Sequence, residues 1–417
     1  MTLQVEIPYA GRVERISVKQ ENLIGVLTPS SRKAGGFESL AEALRKPLKA
    51  EAVEEFLSPG SKPLFLVNDG ARPTPTWLAL QALEGFLRKA EPSFLVACGA
   101  HPPPTRAELE RIFGRFLARY ESRVKFNLSR AEGFVELGQT KRGTSIRLNR
   151  EALKAEKVFI VSSVEPHYFA GFTGGRKSVF PGVASYSSIE QNHRLALEAG
   201  VRTMALQGNP VHEDLAEAAE AYAEGREIYS LLMILDGRHR VASAFAGDLH
   251  KAFHQAAREA EKLYTVEAEE KADIVVSVAG HPLDLNLYQA HKAIEHGKLA
   301  LKDGGIMILV ASCSQGVGDE QFYRLLARYG KPEKVLEAVR RRYRLGYHKA
   351  AKIAELALKA EIWAVTSLER SILEKAFMKP YRNVQKALDE ALKVKGGNAR
   401  VLVIPDAGLT VPKVPSG

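Results

Sequence analysis

Lys157-Val158-Phe159-Ile160-Val161-Ser162-Ser163-Val164-Glu165-Pro166-His167-Tyr168-Phe169-Ala170-Gly171-Phe172-Thr173-Gly174-Gly175-Arg176-Lys177 begins as an apolar run of strand length, meets a carboxylate and a proline, and passes into a glycine-rich loop. An apolar run that is continuous rather than alternating suits a strand covered on both faces, as in a parallel sheet. Comparable runs recur at residues 63–67, 93–98, 273–278, 305–313, 361–366 and 400–404, and amphipathic stretches at 76–89, 106–118, 186–199 and 213–223 lie among them. Strands alternating with helices in this way predict an α/β fold with mainly parallel sheets.

At 417 residues the chain suits two domains. The expected division is an N-terminal cofactor-binding and catalytic domain over 1–268 and a C-terminal α/β domain over 269–399. The charged stretch 266–271 forms the boundary, 400–417 returns to the first domain as an added strand, and an active-site cleft lies between the two domains. Residues 3–18 alternate like a hairpin that turns at Ala10-Gly11.

Fifty-nine basic against 49 acidic side chains leave a net charge of +10. The excess is spread along the chain, without the dense basic run or interleaved aromatics of a nucleic-acid arm, so small anionic ligands are the expected partners. The two cysteines, Cys98 and Cys313, each fall in an apolar run and read as free buried thiols of a reducing compartment. No stretch reaches the length of a membrane span and the opening residues carry no secretory pattern, so the expected location is the cytoplasm.

Three motifs directly follow predicted strands: Asp69-Gly70-Ala71-Arg72-Pro73-Thr74-Pro75, Gly99-Ala100-His101, and the loop from Glu165 to Lys177. Ligands of open parallel sheets bind outside the carboxyl ends of the strands, so these loops are expected to share a crevice. In the second half, Tyr288-Gln289-Ala290-His291-Lys292 also follows a strand, and Gln289 and Lys292 share one face if the segment is helical. His101, His167 and His193 suit proton transfer near neutral pH or binding of nickel, zinc or copper, and no H-E-x-x-H or paired-cysteine pattern indicates a protein-only zinc site. The run 171–178 departs from the nucleotide-binding G-x-x-x-x-G-K-[ST] pattern, because Arg176 stands where glycine should precede the lysine. The backbone N–H groups of Gly174 and Gly175 can still hold the phosphate of another ligand. Arg72, in a proline-stiffened loop, suits a carboxylate, and Asp69 either orients a histidine or caps the turn.

Taken together, from about residue 67 to the C-terminus, these residues resemble the nickel-dependent lactate racemase family. The most specific block runs from Glu165-Pro166-His167 through Gly174-Gly175-Arg176-Lys177 and Pro181-Gly182 to Asn192-His193. Asp69-x-x-Arg72-Pro73 and Tyr288-Gln289-x-x-Lys292 stand at matching places in chain order. The resemblance implies a nickel pincer nucleotide tethered to Lys177 beside Gly174 and Gly175, with His193 as the protein ligand to nickel. It implies His101 and His167 as the acid/base pair, Asp69 supporting His101, and Arg72, Tyr288, Gln289 and Lys292 holding the substrate. The implied reaction is racemisation or epimerisation of a small anionic 2-hydroxy acid by transient hydride transfer, with cofactor-maturation enzymes as partners. The chain departs from the family pattern at Pro102, where arginine is usual, and at Leu128-Ser129, where His-Asp is usual. Trp363 falls inside a predicted strand, which leaves Tyr347 to stand for the pocket tryptophan. Two other readings stay open: a non-catalytic protein that binds an anionic metabolite, and a lysine Schiff-base isomerase using Lys177.

Overall fold

The structure is a computed structural model and describes residues 1–29 and 34–415. The chain forms two compact units, one of Ser31–Leu263 and one of Met1–Ser30 with Tyr264–Gly417.

The Ser31–Leu263 unit is built on a six-stranded sheet in the spatial order Val241–Gly247, Glu227–Leu235, Lys157–Ser163, Leu64–Asn68, Ser93–Ala97, Val124–Phe126. All neighbours pair in parallel except Val241–Gly247, which runs antiparallel on the edge. Four aromatic residues occupy mutually paired positions on four adjacent strands, Tyr229 opposite Phe159, Phe159 opposite Phe65, and Phe65 opposite Phe94. Their rings form a ladder with centroids 5.1, 4.8 and 5.2 Å apart. Since a one-residue slip would turn every side chain of a strand to the opposite face, this ladder holds the register. Leu40, Leu44, Phe56, Leu80, Leu83 and Phe113 pack on the same face from helices and loops. Leu66, Leu95 and Ile160 point the other way and are also fully buried, as the continuous apolar runs require.

The second unit carries a fully parallel sheet in the order Met378–Tyr381, Glu361–Val365, Leu301–Val310, Ala272–Val278, Val401–Ile404, Leu23–Val26. The hairpin Thr2–Tyr9 with Arg12–Lys19 turns at Ala10-Gly11 as expected. Its inward residues Val5, Ile7, Ile16 and Val18 pack with Ile274, Ile308, Val403 and the helix Val384–Lys395. The Gln385 side chain accepts from the Ser17 N–H at 2.6 Å and donates to its carbonyl at 3.1 Å.

Two placements expected from the sequence are therefore corrected. Residues 1–30 do not belong with the first domain, because the hairpin's apolar stripe is covered by the second sheet. Val401–Ile404 does not complete the first domain either, since it lies between Ala272–Val278 and Leu23–Val26 with all four residues buried. Strand-length runs reveal a strand and not its neighbours, because pairing partners are distant in sequence.

Cys98 and Cys313 are free and buried, and burial pushes both thiols up to about 12. Among the described residues no helix is long and apolar enough to cross a membrane.

Truncating Phe65 to alanine removes the centre of the ring ladder. The expected loss is about 3–5 kcal/mol of unfolding free energy, read by chemical denaturation, with the parallel sheet's circular dichroism retained below the midpoint.

Candidate active site

The neighbouring strands Leu64–Asn68 and Lys157–Ser163 feed chain to opposite sides: the next strand of the sheet after one is Ser93–Ala97, and after the other Glu227–Leu235. Such a switch of direction opens a crevice at the carboxyl ends of the two strands. Asp69 and Arg72 leave the first strand and Glu165 to Lys177 leave the second, while His101 follows the adjoining Ser93–Ala97.

Across this edge the His101 Nδ1 lies 2.7 Å from the Asp69 Oδ2. Burial alone would raise the Asp69 carboxyl. The charge and hydrogen bond of His101, the Arg72 guanidinium and the Ala71 N–H outweigh it and hold the group below its usual value. An ionised carboxylate only accepts, so Nδ1 of His101 carries a proton in either charge state, and whenever the ring is neutral its lone pair lies at Nε2. Asp69 is buried whereas His101 is 43% exposed, which leaves the far edge of the ring open to a ligand. His167 is oriented the opposite way. Its Nδ1 accepts the Ala170 N–H at 3.2 Å, which leaves the proton of the neutral ring on Nε2.

His167 sits in a two-residue strand, Pro166–His167, paired with Gly171–Phe172, so its loop doubles back on itself. Phe169, at the tip, is the common neighbour of the block. Its ring centroid lies 4.4 Å from that of His167 and 5.0 Å from that of His193, both edge to face, and the Lys177 Nζ stands 5.6 Å from it. His193 reaches this point from the last turn of the helix Tyr186–Arg194, which Ser185 caps. Lys177 reaches it from the short helix Arg176–Val179 after Gly174 and Gly175, both at positive φ. A Cβ on Gly174 would stand 2.6 Å from the Ser163 carbonyl oxygen and 2.8 Å from the Val164 Cγ2, so only glycine lets the loop return against its own strand.

Arg176 lies beneath the loop, 2% exposed, with no carboxylate partner among the described residues. Its Nη2 donates to the carbonyls of Ala170 and Phe172 at 3.1 and 3.3 Å, its Nε donates to the His212 Nδ1 at 2.9 Å, and its guanidinium lies 3.9 Å from the Phe253 ring centroid. Burial lowers it to about 9, which still leaves it charged at neutral pH, while burial and then the charge of Arg176 lower His212 to about 3. The cation thus ties the chain just after the Phe169 tip, at Ala170 and Phe172, to the unit's interior. The fully buried Asn209 side chain also holds the tip, by donating to the Phe169 carbonyl at 2.9 Å.

Arg72 donates from Nη1 to the Glu165 Oε2 at 3.1 Å. The expected crevice residues Asp69, Arg72, His101, His167, Lys177 and His193 therefore all lie in the Ser31–Leu263 unit, in two hydrogen-bonded or ring-packed groups. Tyr288, Gln289 and Lys292 lie in the other unit, half-buried on the helix Leu287–Gly297, with Asn286 accepting the Gln289 N–H at its start. That helix is pinned by the buried Lys349, whose Nζ donates to the Tyr288 carbonyl at 2.5 Å and stands 3.6 Å from its ring centroid. Trp363 is fully buried, stacked on Tyr381 at 4.8 Å and donating to Glu361. Tyr347 opens the helix Tyr347–Ala357, half-buried. Sequence reasoning gave no individual role to Phe169, Arg176 or Glu165, although all three lie inside the quoted block, and it passed over His212, Asn209 and Lys349 altogether. A polar residue isolated in a helical pattern carries no signal of what it touches.

Fold and site together define an α/β enzyme with a carboxylate-supported histidine and a second histidine beside a lysine on a glycine-turned loop. The family model described as "Lactate racemase N-terminal domain" matches residues 9–204, and that described as "Lactate racemase C-terminal domain" matches 267–411. A lactate racemase of Thermoanaerobacterium thermosaccharolyticum is 30% identical over 96% of this chain and 97% of its own. One from Lactiplantibacillus plantarum is 29% identical over 96% and 98%. The structure of the lactate racemase apoprotein from Thermoanaerobacterium thermosaccharolyticum superposes with a TM-score of 0.91 at 28% identity, over 99% of this chain and all of that one. A Thermotoga maritima protein shares the fold at 18% identity with a TM-score of 0.73, over 93% of this chain and all of that one. The chain belongs to the lactate racemase family and is an isomerase of the racemase class.

Two outcomes follow from the geometry. Gly174→Ala is expected to lower stability by more than about 2 kcal/mol in thermal unfolding, since positive φ and a backbone clash coincide. Asp69→Asn is expected to lose stability relative to the native chain at neutral pH. Because the folded Asp69 titrates below its unfolded value, the contribution is full above about pH 4 and disappears as the pH falls through the depressed value. Denaturation of both proteins between pH 2 and 7 checks this: the two curves should converge on the acid side.

Proposed function

We propose that this protein racemises or epimerises a 2-hydroxy acid, with lactate the first candidate, by transient hydride transfer at a nickel pincer nucleotide tethered to Lys177. The observation that carries the reading is the grouping of His167, Lys177 and His193 around Phe169, on the same sheet edge as the Asp69–His101 pair.

The residues fit such a group. Lys177 and His193, proposed as tether and nickel ligand, flank one aromatic ring, so a group joined to the lysine and held through its metal by the histidine would find both on neighbouring elements. Among the described residues, the Arg176 Nη1, Ser178 Oγ and Asn192 Oδ1, each beside one of those two in sequence, are buried without a hydrogen-bond partner. They are donor and acceptor capacity that a polar ligand can use. Among the described residues no group of three or more histidine, cysteine or carboxylate side chains is placed to hold a metal, so further ligands would have to come from an organic group.

When bound, the group would supply a hydride acceptor for the carbinol carbon. Arg72 holds the carboxylate, so that the carbon bearing the hydroxyl is oriented rather than tumbling. The His101 Nε2 takes the hydroxyl proton, and the ionised Asp69 stabilises the imidazolium that results. His167 serves the hydroxyl of the opposite enantiomer, and to take that proton at Nε2 its ring must first carry its own proton at Nδ1, giving up the contact with the Ala170 N–H. Losing hydride instead of the α-proton avoids a carbanion beside a carboxylate. The reading brings with it separate enzymes that build the cofactor, and the cytoplasm as the compartment.

The test is intact mass with nickel analysis on protein made in its own host or beside cofactor-building enzymes. A mass increase mapping to Lys177 with near-stoichiometric nickel, both lost in Lys177→Ala, is expected; an unmodified, nickel-free chain would favour an anion-binding protein instead. His101→Ala and His167→Ala are each expected to lower turnover by about 10²–10⁴-fold while nickel and adduct remain. Full activity in both variants would remove the acid/base assignment.

A further inference from the structure

We propose that Glu165 is a positioning residue for the substrate carboxylate: it grips one corner of the Arg72 guanidinium and turns the rest of the fork toward the substrate. The proposal rests on the reading of Arg72 as the carboxylate anchor.

Guanidinium presents five N–H donors in a fixed plane, and a carboxylate can occupy one edge with two parallel bonds. Glu165 does not do this. Its contact is a single one, Nη1 to Oε2 at 3.1 Å, and among the described residues no other side chain bonds to that guanidinium. An end-on contact fixes where the plane lies and leaves donors for a second carboxylate.

Glu165 is itself held from both strands of the crevice. Its Oε1 accepts the Ser163 hydroxyl at 2.9 Å. The Ser163 hydroxyl is 2.7 Å from the Thr74 hydroxyl, and the Thr74 hydroxyl is 2.8 Å from the Asn68 Oδ1, which also accepts the Ser163 N–H at 3.3 Å. Asn68 and Thr74 flank the Asp69–Arg72 turn, and Ser163 ends the strand before Glu165, so the carboxylate is referenced to the same two strand ends that set the crevice.

The loop's own shape does not depend on this carboxylate. The Glu165 N–H donates to the Thr173 Oγ1 and its carbonyl accepts the Thr173 N–H, each at 2.9 Å, closing the base of the loop through backbone groups. The side chain is therefore available for Arg72. With its side chain 9% exposed, it forms a pair whose loss leaves Arg72 without a fixed orientation.

The test is a double-mutant cycle on the loaded enzyme, with lactate as the probe: wild type, Glu165→Gln, Arg72→Ala and the double variant. Glu165→Gln is expected to raise KM about tenfold with kcat changed less than about threefold, whatever fall in melting temperature the loss of a buried ion pair brings. In the Arg72→Ala background the same change should do nothing further to KM, because the only group Glu165 orients is gone. Additive effects on KM, or a fall in melting temperature with kcat and KM changed alike, would overturn the proposal in favour of a general structural role. No turnover of lactate by the loaded wild type, or a wild-type KM in Arg72→Ala, would instead remove the reading beneath it, and the Glu165 role with it.

Discussion

The register of the four central strands of the Ser31–Leu263 unit is the constraint on which the site depends. Tyr229, Phe159, Phe65 and Phe94 meet in one row of rings, and Asn68, Ala97 and Ser163 consequently end their strands at fixed relative heights. A slip of one strand would take Asp69 away from His101 and Arg72 away from Glu165 while also exposing the ladder. Packing energy in the core thus secures polar distances at the edge, where the hydrogen bonds alone contribute only about 1 kcal/mol each.

The glycine-rich loop solves a different problem. It must carry His167 and Lys177 while remaining rigid, and glycines at positive φ let it fold tightly against Ser163 and Val164. Rigidity then comes from below, where a buried guanidinium with no carboxylate partner among the described residues bonds to two carbonyls and a neutral histidine. A buried cation is costly. Its position at the centre of the loop explains where that cost is offset: Arg176 replaces several separate loop contacts by one planar donor, and the catalytic assignments proposed for His167 and Lys177 require that their common neighbour Phe169 stay in place.

Sequence pattern was most informative where chemistry and local geometry coincide. The continuous apolar runs reported strands buried on both faces, the loops after them reported the carboxyl-end crevice, and the unbroken motif order reported the family. It was least informative about partnership between distant segments. The N-terminal hairpin was legible as a hairpin from its alternation and the Ala10-Gly11 turn, yet nothing local says which sheet covers Val5, Ile7, Ile16 and Val18. The run at Val401–Ile404 was legible as a strand and misplaced for the same reason.

The sequence by itself determined the α/β class, the loops proposed to hold the chemistry and the residue types available there, because each depends on periodicity or on neighbours within a few positions. Tertiary structure alone decided that His101 and His167 are held as opposite tautomers, that Phe169 is the meeting point of His167, Lys177 and His193, and that Glu165 takes a single corner of Arg72. Those facts rest on which atoms face one another after separate strands have been brought into register, and a linear pattern contains no record of that.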